Sequence, residues 1–256
     1  MPDLLSSLAD GVLTLTLNRP AHLNAFSEEM SADLATELET VASRPEVRVV
    51  VVTGAGDAFS AGADISGTDA HLRFDVRALD RANRMVRAVI GCPVPVVAAV
   101  NGVAAGVGCS IALASDLVVA SSSASFLLAF SRIGLMPDGG SSMLVAASIG
   151  RARAMRMALL AEPLFAADAR SAGLVAEVVD DASFAASVAA LASRLAAGPP
   201  LAFAATKKAV NAATLVELDA ALERERTGQT VLLRTADVAE GMRAFTDRRR
   251  PTFRGE

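Results

Sequence analysis

The chain of 256 residues is long enough to bury a core and to form one large domain, or one domain with an appendage. Its composition, 52% hydrophobic and 20% charged, excludes a disordered chain, and a net charge of −4 gives no field that would favour nucleic acid. The two cysteines, Cys92 and Cys109, lie in apolar stretches, which favours buried reduced thiols and a cytoplasmic location.

The first part of the chain predicts a strand, a helix and a second strand. Leucine alternates with valine and threonine over residues 11–17, as in a half-buried strand. Ser27 is expected to cap a helix that has glutamates in its first turn. Apolar residues at helical spacing predict one buried stripe on that helix, formed by Met30, Leu34, Leu38 and Val41. A strand buried on both faces follows over residues 47–52.

Two glycine-rich loops each follow a buried strand. The first covers residues 53–64, and the second lies between a strand at 95–100 and a helix at 109–114. Glycine permits close backbone approach, and a turn that leads into a helix start aims free N–H groups at one point. Such a site can bind an anion or stabilise a developing oxyanion. The second loop contains Gly102, Gly106 and Gly108.

The polar stretch from Ser66 to Asp80 predicts a mobile loop over a site, followed by a helix over residues 80–90. Beyond the second glycine loop the pattern predicts short strands at residues 117–120 and 124–129, followed by a turn at 133–140 and a helix from Ser141. A helix at 151–160 and a strand at 177–179 come next.

From residue 182 the pattern is helical almost to the end of the chain, with one break at Gly198-Pro199-Pro200. Proline and glycine interrupt helices, and the break is therefore the best candidate for a domain boundary. We predict a core at residues 1–197 and a C-terminal helical region at residues 198–256.

One uncharged stretch, Ala88 to Ser115, is long enough to cross a bilayer. The prolines, the asparagine and the glycines within it favour a buried strand, turn and helix instead. The N-terminus has no basic region followed by an apolar run, so no signal peptide is expected. We therefore expect no membrane association.

Several kinds of site are disfavoured by the residues. A dinucleotide-binding fingerprint needs a third glycine where Phe59 stands, and the reductases with a similar turn need a tyrosine, which this sequence lacks. A hydrolase built on Ser110 needs a histidine base, but His22 and His71 lie in polar loops. Cys, His, Asp and Glu show no metal-ligand spacing either, so we expect no metal site.

Two aspartates have an ordinary structural explanation. Asp138 stands in the turn sequence Pro-Asp-Gly-Gly, and Asp64 follows Ala61-Gly62-Ala63 in the first loop. Aspartate is common in turns and at helix N-caps, where its carboxylate accepts backbone hydrogen bonds. Taken from the residues alone, a turn or cap role is favoured for both.

Taken together, several stretches resemble the crotonase superfamily, that of enoyl-CoA hydratases and isomerases. The resemblance covers nearly the whole chain and rests on LNRPAHLNAF, VVVVTGAGDAFSAGADIS, PVPVVAAVNGVAAGVGCSIALASDLVVAS, FLLAFSRIGLMPDGG and EGMRAFTDRRRPTFRG. It implies an α/β crotonase fold, in which repeated β-β-α units form two roughly perpendicular sheets with a C-terminal helical region. It also implies a coenzyme A thioester as substrate, so that coenzyme A is part of the substrate and no separate cofactor is expected. The implied assembly is a homotrimer, or a hexamer made of two trimers.

The resemblance also implies roles for individual residues. The backbone N–H groups of Ala63 and Val107 are expected to form an oxyanion hole that stabilises a thioester enolate. The loop at residues 23–25 and the first glycine loop are expected to contact the adenine and pantetheine portions of coenzyme A. Further substrate contacts are expected from the second glycine loop and its surroundings. Two C-terminal positions are expected to reach a neighbouring subunit's coenzyme A. The residues expected to make these contacts are Leu23, Ala25, Ala61, Asp64, Ile65, Gly106, Ser110, Phe130, Phe245 and Arg248.

The chain departs from the hydratase pattern at the catalytic positions. Hydratases of this family use two glutamates, which fall at Ser110 and Phe130 here, and neither residue can act as a carboxylate acid or base. The stretch around Asp138 resembles the ring-opening and double-bond isomerase branch of phenylacetate breakdown, which makes Asp138 the expected base, with Ser110 a small residue that leaves room. A hydratase and a non-catalytic acyl-CoA-binding protein remain the alternatives.

Overall fold

The computed structural model describes residues 1–66 and 70–256, without the side chain of Arg73. The strands are β1 (Leu4–Ala9), β2 (Val12–Leu17), β3 (Val49–Gly54), β4 (Ala58–Ser60), β5 (Val96–Val100), β6 (Val103–Ala105), β7 (Leu117–Ser121), β8 (Ser125–Leu127), β9 (Leu164–Phe165) and β10 (Glu177–Val179). The helices are α1 (Glu28–Thr40), α2 (Ala70–Arg73), α3 (Val76–Gly91), α4 (Val107–Ala114), α5 (Ser141–Ile149), α6 (Arg151–Leu160), α7 (Ala166–Ala172), α8 (Phe184–Ala196), α9 (Pro200–Thr214), α10 (Leu218–Leu232) and α11 (Ala236–Thr246).

The described strands form two sheets. One has the order β1-β2-β3-β5-β7-β10, in which β1 and β2 are antiparallel and the remaining pairs are parallel; the other has the order β4-β6-β8-β9. The valine-rich strands β3 and β5 are inner strands of the larger sheet, which explains why they lack an alternating pattern. The predicted α/β class is confirmed.

Parallel strand pairing places the two glycine loops side by side. Strands β3 and β5 are in register from Val50 with Val96 to Thr53 with Ala99, so their carboxyl ends reach the same edge of the sheet. Each glycine loop contains a short strand, β4 in the first and β6 in the second, and these strands are also parallel neighbours. The pattern did not predict β4 and β6, since three residues are too few to establish a period.

The main core lies between the larger sheet, α1, α3 and α4. Ser27 caps α1 by accepting a hydrogen bond from the Met30 amide at 3.0 Å, and the predicted stripe of α1 is buried, which confirms both predictions. Apolar residues on the opposite face of the sheet pack against α8. Cys92 and Cys109 are buried free thiols, as predicted.

The predicted loop from Ser66 to Asp80 was wrong over its described second half. Residues 67–69 lie outside the described part of the chain, and beyond them the chain forms α2 and then α3, which begins at Val76 rather than Asp80. Asp75 caps α3 by accepting a hydrogen bond from the Arg77 amide at 2.9 Å. Leu79 continues the buried face of the helix one turn earlier than expected.

The break at residues 198–199 is confirmed, because α8 ends at Ala196 and α9 begins at Pro200. Helix α9 contributes no buried residue to the described structure, whereas α10 packs against α3 and α5. Within the described ranges, no individual helix combines the length and apolarity needed to span a bilayer. The pair Asp181–Ala196 and Pro200–Thr214 reaches that length only together, with a bend of 104°.

Candidate active site

The first glycine loop turns the Ala63 amide away from the neighbouring chain segment. Phe26 forms a parallel bridge with Ala63, in which the Phe26 amide donates to the Gly62 carbonyl at 2.7 Å and the Asp64 amide donates to the Phe26 carbonyl at 3.2 Å. In a parallel bridge the residue between those two partners directs its own N–H to the opposite side. The Ala63 N–H group therefore faces away from Phe26, on an exposed residue.

The second glycine loop ends at the start of α4. Gly106 is the N-cap residue, with φ 52° and ψ −129°, a conformation that a side chain would strain. Val107 follows as the first helical residue, two positions earlier than the pattern predicted. Its N–H group belongs to the first turn, whose amides have no acceptor within the helix and lie at the positive end of the dipole.

The two loops touch through their glycines. A Cβ atom on Gly62 would lie 2.9 Å from the Ala105 carbonyl oxygen, and one on Gly106 would lie 3.7 Å from the Gly62 Cα atom. This approach leaves no room for a side chain at Gly62. The amides of Ala63 and Val107 each directly follow one of these touching glycines, which suits them to act together as two donors.

Asp138 lies beside the first turn of α4. The Ser110 hydroxyl group donates to the Asp138 carbonyl at 3.0 Å, with the Gly106 carbonyl as a longer alternative at 3.4 Å. A Cβ atom on Gly139 would lie 3.1 Å from the Ser110 Oγ atom and 3.6 Å from Val107 Cγ2. The Ser110 side chain, expected only to leave room, thus joins the aspartate segment to the helix that carries Val107.

The Asp138 carboxyl group is strongly perturbed. Burial raises its pKa to about 7, the negative charge of Glu225 adds to this shift, and a hydrogen bond from Gln229 opposes it. The residue as a whole is half-buried, so part of its surface is still accessible. A carboxyl group whose burial brings its pKa close to neutrality is suited to take up a proton and to return it.

Helix α10 supplies two buried polar side chains to this segment. Gln229 donates from Nε2 to Asp138 Oδ2 at 2.9 Å, and the Glu225 carboxylate accepts from the amides of Gly140 at 2.6 Å and Ser142 at 3.0 Å. Neither residue was predicted from the sequence. Their signal was available, because they continue the buried helical stripe of Leu218 and Leu222 with polar groups that a core tolerates only when hydrogen-bonded.

Phe130 is buried, and its ring edge lies 3.8 Å from where a Cβ atom on Gly106 would stand. The side chain belongs to a short 3-10 helix over Ala129–Ile133. It gives this side of the site an apolar wall without an acid, a base or a hydrogen-bonding group.

The predicted coenzyme A residues of the first loops are held together in the structure. The Ala61 amide donates to the Leu23 carbonyl at 2.9 Å, and both Leu23 and Asn24 adopt left-handed backbone conformations. The buried side chain of Asn24, which the sequence analysis did not single out, fastens this loop. It donates to the carbonyls of Ala55 at 2.8 Å and Ala58 at 2.7 Å.

Asp64 is engaged in local contacts. Its carboxylate forms a 2.8 Å salt bridge with Arg19 and accepts hydrogen bonds from the Ser66 amide and hydroxyl group. Burial opposes ionisation, but these hydrogen bonds together lower the pKa of Asp64 to about 2. Ile65 beside it packs against the small apolar cluster under α11. The side chain of Asp64 thus fixes the shape of the first loop.

Phe245 and Arg248 stand at the end of α11. Phe245 is 59% exposed, and Arg248 follows the helix with a φ of 54°. The exposed side chains are free to reach beyond this chain, and their contact with a neighbouring subunit's ligand stays a prediction. As far as the described residues go, no three His, Cys, Asp or Glu side chains group as a metal ion would require.

Comparison with known proteins gives consistent matches over nearly the whole chain. A family model described as enoyl-CoA hydratase/isomerase matches residues 7–256. The 1,2-epoxyphenylacetyl-CoA isomerase of Escherichia coli K12 is 41% identical, covering 100% of both chains, and a probable enoyl-CoA hydratase of Rhodobacter capsulatus is 42% identical, covering 97% of this chain and 96% of that protein. The crystal structure of an enoyl-CoA hydratase from Mycobacterium avium subsp. paratuberculosis is 51% identical, with a TM-score of 0.93 and 98% coverage of each chain.

These matches confirm the crotonase fold expected from the sequence. They also support the motif resemblance around Asp138, since the relatives include an isomerase of the expected branch. Similarity at this level over such a length leaves no other family to consider. The chain belongs to the enoyl-CoA hydratase/isomerase family, the acyl-CoA-processing enzymes of the crotonase superfamily.

Proposed function

We propose that this protein is an enoyl-CoA isomerase, in which Asp138 is the single carboxylate base and the amides of Ala63 and Val107 form the oxyanion hole. The observation that carries the proposal is Asp138 itself: the Ser110 hydroxyl group holds its main chain against the first turn of α4, and burial raises the pKa of its carboxyl group to about 7. An isomerase needs one carboxyl group that moves a proton between two carbons, and it needs no activated water.

The reaction follows from these groups. The thioester oxygen accepts hydrogen bonds from the two amides, and the Asp138 carboxylate removes a proton from the α carbon of a 3-enoyl-CoA. The electrons move onto the thioester oxygen as an extended enolate, which the two donors stabilise. Asp138 then returns a proton to the γ carbon, and the double bond ends between the α and β carbons. One such donor contributes about 3–4 kcal/mol to lowering the barrier.

The residues at the two hydratase glutamate positions support isomerisation over hydration. The Ser110 hydroxyl group donates to main-chain carbonyl oxygens, and Phe130 is a buried aromatic ring. Neither can hold and deprotonate a water molecule. The isomerase name of the Escherichia coli relative points in the same direction.

A hydratase is the second candidate because of the other relatives. The 2,3-dehydroadipyl-CoA hydratase of Escherichia coli K12 is 37% identical over 100% of both chains, and the relatives from Rhodobacter and Mycobacterium also carry hydratase names. Asp138 would then have to activate water alone. In a third candidate, a non-catalytic acyl-CoA-binding protein, the oxyanion hole would bind the thioester and Asp138 would have no catalytic role.

Incubation with 3-enoyl-CoA and 2-enoyl-CoA of matched chain length, in deuterium oxide and in oxygen-18 water, separates the three candidates. We expect the double bond to move, with deuterium entering at exchanged carbons and no oxygen-18 incorporated. Asp138→Asn should abolish this, whereas Asp33→Asn, at an exposed aspartate of α1, should not. Incorporation of oxygen-18 would identify a hydratase, and tight binding without turnover would identify a binding protein.

The remaining substrate and assembly roles are part of the same proposal. Residues 23–25, together with Ala61, Asp64 and Ile65, are assigned to the adenine and pantetheine portions of coenzyme A, supported by the hydrogen bond that joins Ala61 to Leu23. A homotrimer, or a hexamer of two trimers, is supported by α9, which has no buried residue and exposes Leu201 and Val210. Sedimentation of the parent and of Leu201→Asp tests the assembly.

A further inference from the structure

We infer that Gln229 is a positioning residue for Asp138: its side-chain amide holds one carboxylate oxygen and leaves the other to carry the transferred proton. The inference rests on the proposed function, since it assigns separate tasks to the two oxygens of the proposed base. It concerns a residue on α10, far along the chain from the glycine loops and from the segment that carries Asp138.

The orientation of the Gln229 amide is determined by the main chain. The Met136 amide donates to Gln229 Oε1 at 3.0 Å, and Nε2 donates to the Met136 carbonyl at 2.8 Å and to Asp138 Oδ2 at 2.9 Å. All of these atoms lie around a fully buried side chain. A flipped amide would place an N–H group against the Met136 N–H group, so only one orientation satisfies the partners.

The consequence for Asp138 is an asymmetric carboxylate. Oδ2 is fixed by Gln229, and within residues 1–66 and 70–256 no hydrogen bond is formed by Oδ1. The lone pairs of Oδ1 are therefore free to accept a proton from a substrate carbon. Because Gln229 is itself anchored at Met136, the carboxylate does not have to be ordered again at each proton transfer.

The groups around Asp138 determine the direction in which its pKa changes when Gln229 is replaced. Glu225 faces the same segment from α10, and the contacts from α4 come from Val107 and Ser110, which carry no charge. A hydrogen bond to the ionised carboxylate favours that form, so removal of the Gln229 donor raises the pKa of Asp138. The fall of kcat/KM on the acidic side of its pH profile, its acidic limb, reports the pKa of the base in the free enzyme. This limb therefore moves to higher pH.

Two substitutions test this in the full-length protein with a 3-enoyl-CoA substrate. Gln229→Met keeps the length and apolar bulk of the side chain and removes the donor, and we expect the acidic limb to rise by about one pH unit. Gln229→Glu keeps the acceptor for the Met136 amide but has no donor when ionised, and its added charge should raise the limb further. At pH 6 we expect kcat to fall about tenfold or more with little change in KM.

A second readout separates this inference from the proposed function. Carbon-13 NMR of protein labelled at the aspartate carboxyl carbon follows the Asp138 titration, assigned as the resonance that Asp138→Asn removes. Thr227→Val, at an exposed position of the same helix, is the control and should leave both readouts unchanged. If Asp138→Asn is inactive but neither Gln229 variant shifts the kinetic limb or the resonance, only this inference fails. If Asp138→Asn is fully active, the proposed base fails, and the NMR titration alone then decides whether Gln229 tunes the carboxyl group.

Discussion

Gly62 and Gly106 face each other where the two glycine loops meet: a Cβ atom on Gly106 would lie 3.7 Å from the Gly62 Cα atom. The two glycines are about forty residues apart in the chain, and the parallel pairings of β3 with β5 and of β4 with β6 bring them together. The amides of Ala63 and Val107 follow these glycines directly. Their relative position thus depends on a backbone contact that a side chain at Gly62 would disturb.

Gly106→Ala should damage catalysis through backbone strain, because the new Cβ atom itself would meet only ordinary van der Waals contacts. At φ 52° and ψ −129° an alanine is strained by about 1–3 kcal/mol, and the relief of that strain would move the Val107 amide. We expect kcat to fall about 100-fold, the effect typical of a lost oxyanion donor. Gly91→Ala, at the end of α3 with no atom within 4 Å of its Cβ position, is the matched control and should keep full activity. Full activity in Gly106→Ala would remove the Val107 amide from the oxyanion hole.

Much of this arrangement could be predicted from local sequence signals. Valine runs indicated the inner strands β3 and β5, Ser27 indicated the start of α1, and the glycine spacing indicated both loops. Each signal acts within a few residues of the feature it produces. The resemblance then supplied the order of the two loops and the importance of Asp138.

The contacts that tune Asp138 could not be predicted in the same way. Gln229 lies 91 residues further along the chain and meets Asp138 only because α10 packs against α5. Its place on the stripe of Leu218 and Leu222 indicates that Gln229 is buried, but glutamine is common on exposed helix faces, and no local signal shows which residue it meets. The start of α3 was missed for a related reason, since a polar stretch of sequence hid the capping role of Asp75.

The raised pKa of Asp138 predicts a pH-dependent effect of Asp138→Asn on stability. Burial raises the pKa of the folded state to about 7, above about 3.9 in the unfolded chain, so the folded protein holds this proton more tightly. The stabilisation is complete below pH 4 and is lost as the pH rises through 7. An asparagine avoids that loss, and we expect Asp138→Asn to be more stable than the parent at pH 8, by about 4 kcal/mol at most.

Urea unfolding at pH 4.5 and pH 8 measures this difference. The gain in unfolding free energy from Asp138→Asn should be larger at the higher pH, while Asp33→Asn on exposed α1 should give equal and small changes at both. A gain from Asp138→Asn that does not vary with pH would show that the Asp138 carboxyl group titrates normally.

Lys207 should be essential for the attachment of α9. Its side chain, only 8% exposed, forms a 2.8 Å salt bridge with Asp116 and donates to the Val89 carbonyl at 3.0 Å, although α9 has no buried residue. Lys207→Met leaves the Asp116 carboxylate without its cation, and we expect a loss of about 3–5 kcal/mol in unfolding free energy. Lys208→Met, at the adjacent exposed lysine, should change it by about 0.5 kcal/mol or less.

The second arm of that test uses Asp116. Burial raises the pKa of Asp116 and Lys207 opposes the shift, so the carboxylate is costly once the lysine is gone. Asp116→Asn placed on Lys207→Met should therefore recover part of the lost stability, as measured by urea unfolding of the double variant. Equal effects of Lys207→Met and Lys208→Met would mean that the salt bridge does not hold α9.

Glu225→Gln should shift the acidic limb of kcat/KM in the direction opposite to the Gln229 variants. The negative charge of Glu225 raises the pKa of Asp138, so its removal favours the ionised base and extends activity to lower pH. The same change costs stability, because a glutamine cannot accept hydrogen bonds on both sides from Gly140 and Ser142. We expect a loss of about 1–3 kcal/mol in unfolding free energy.

The pH dependence of activity in Glu225→Gln separates an electrostatic role of Glu225 from a purely structural one. A purely structural role for α10 would lower stability and activity together at every pH, whereas the electrostatic role moves the limb downward even in a destabilised protein. Glu223→Gln, exposed on the same helix, removes an equal charge at the surface, where screening leaves little effect on Asp138. A limb that moves upward in Glu225→Gln, or moves equally in Glu223→Gln, would contradict the assigned coupling between Glu225 and the base.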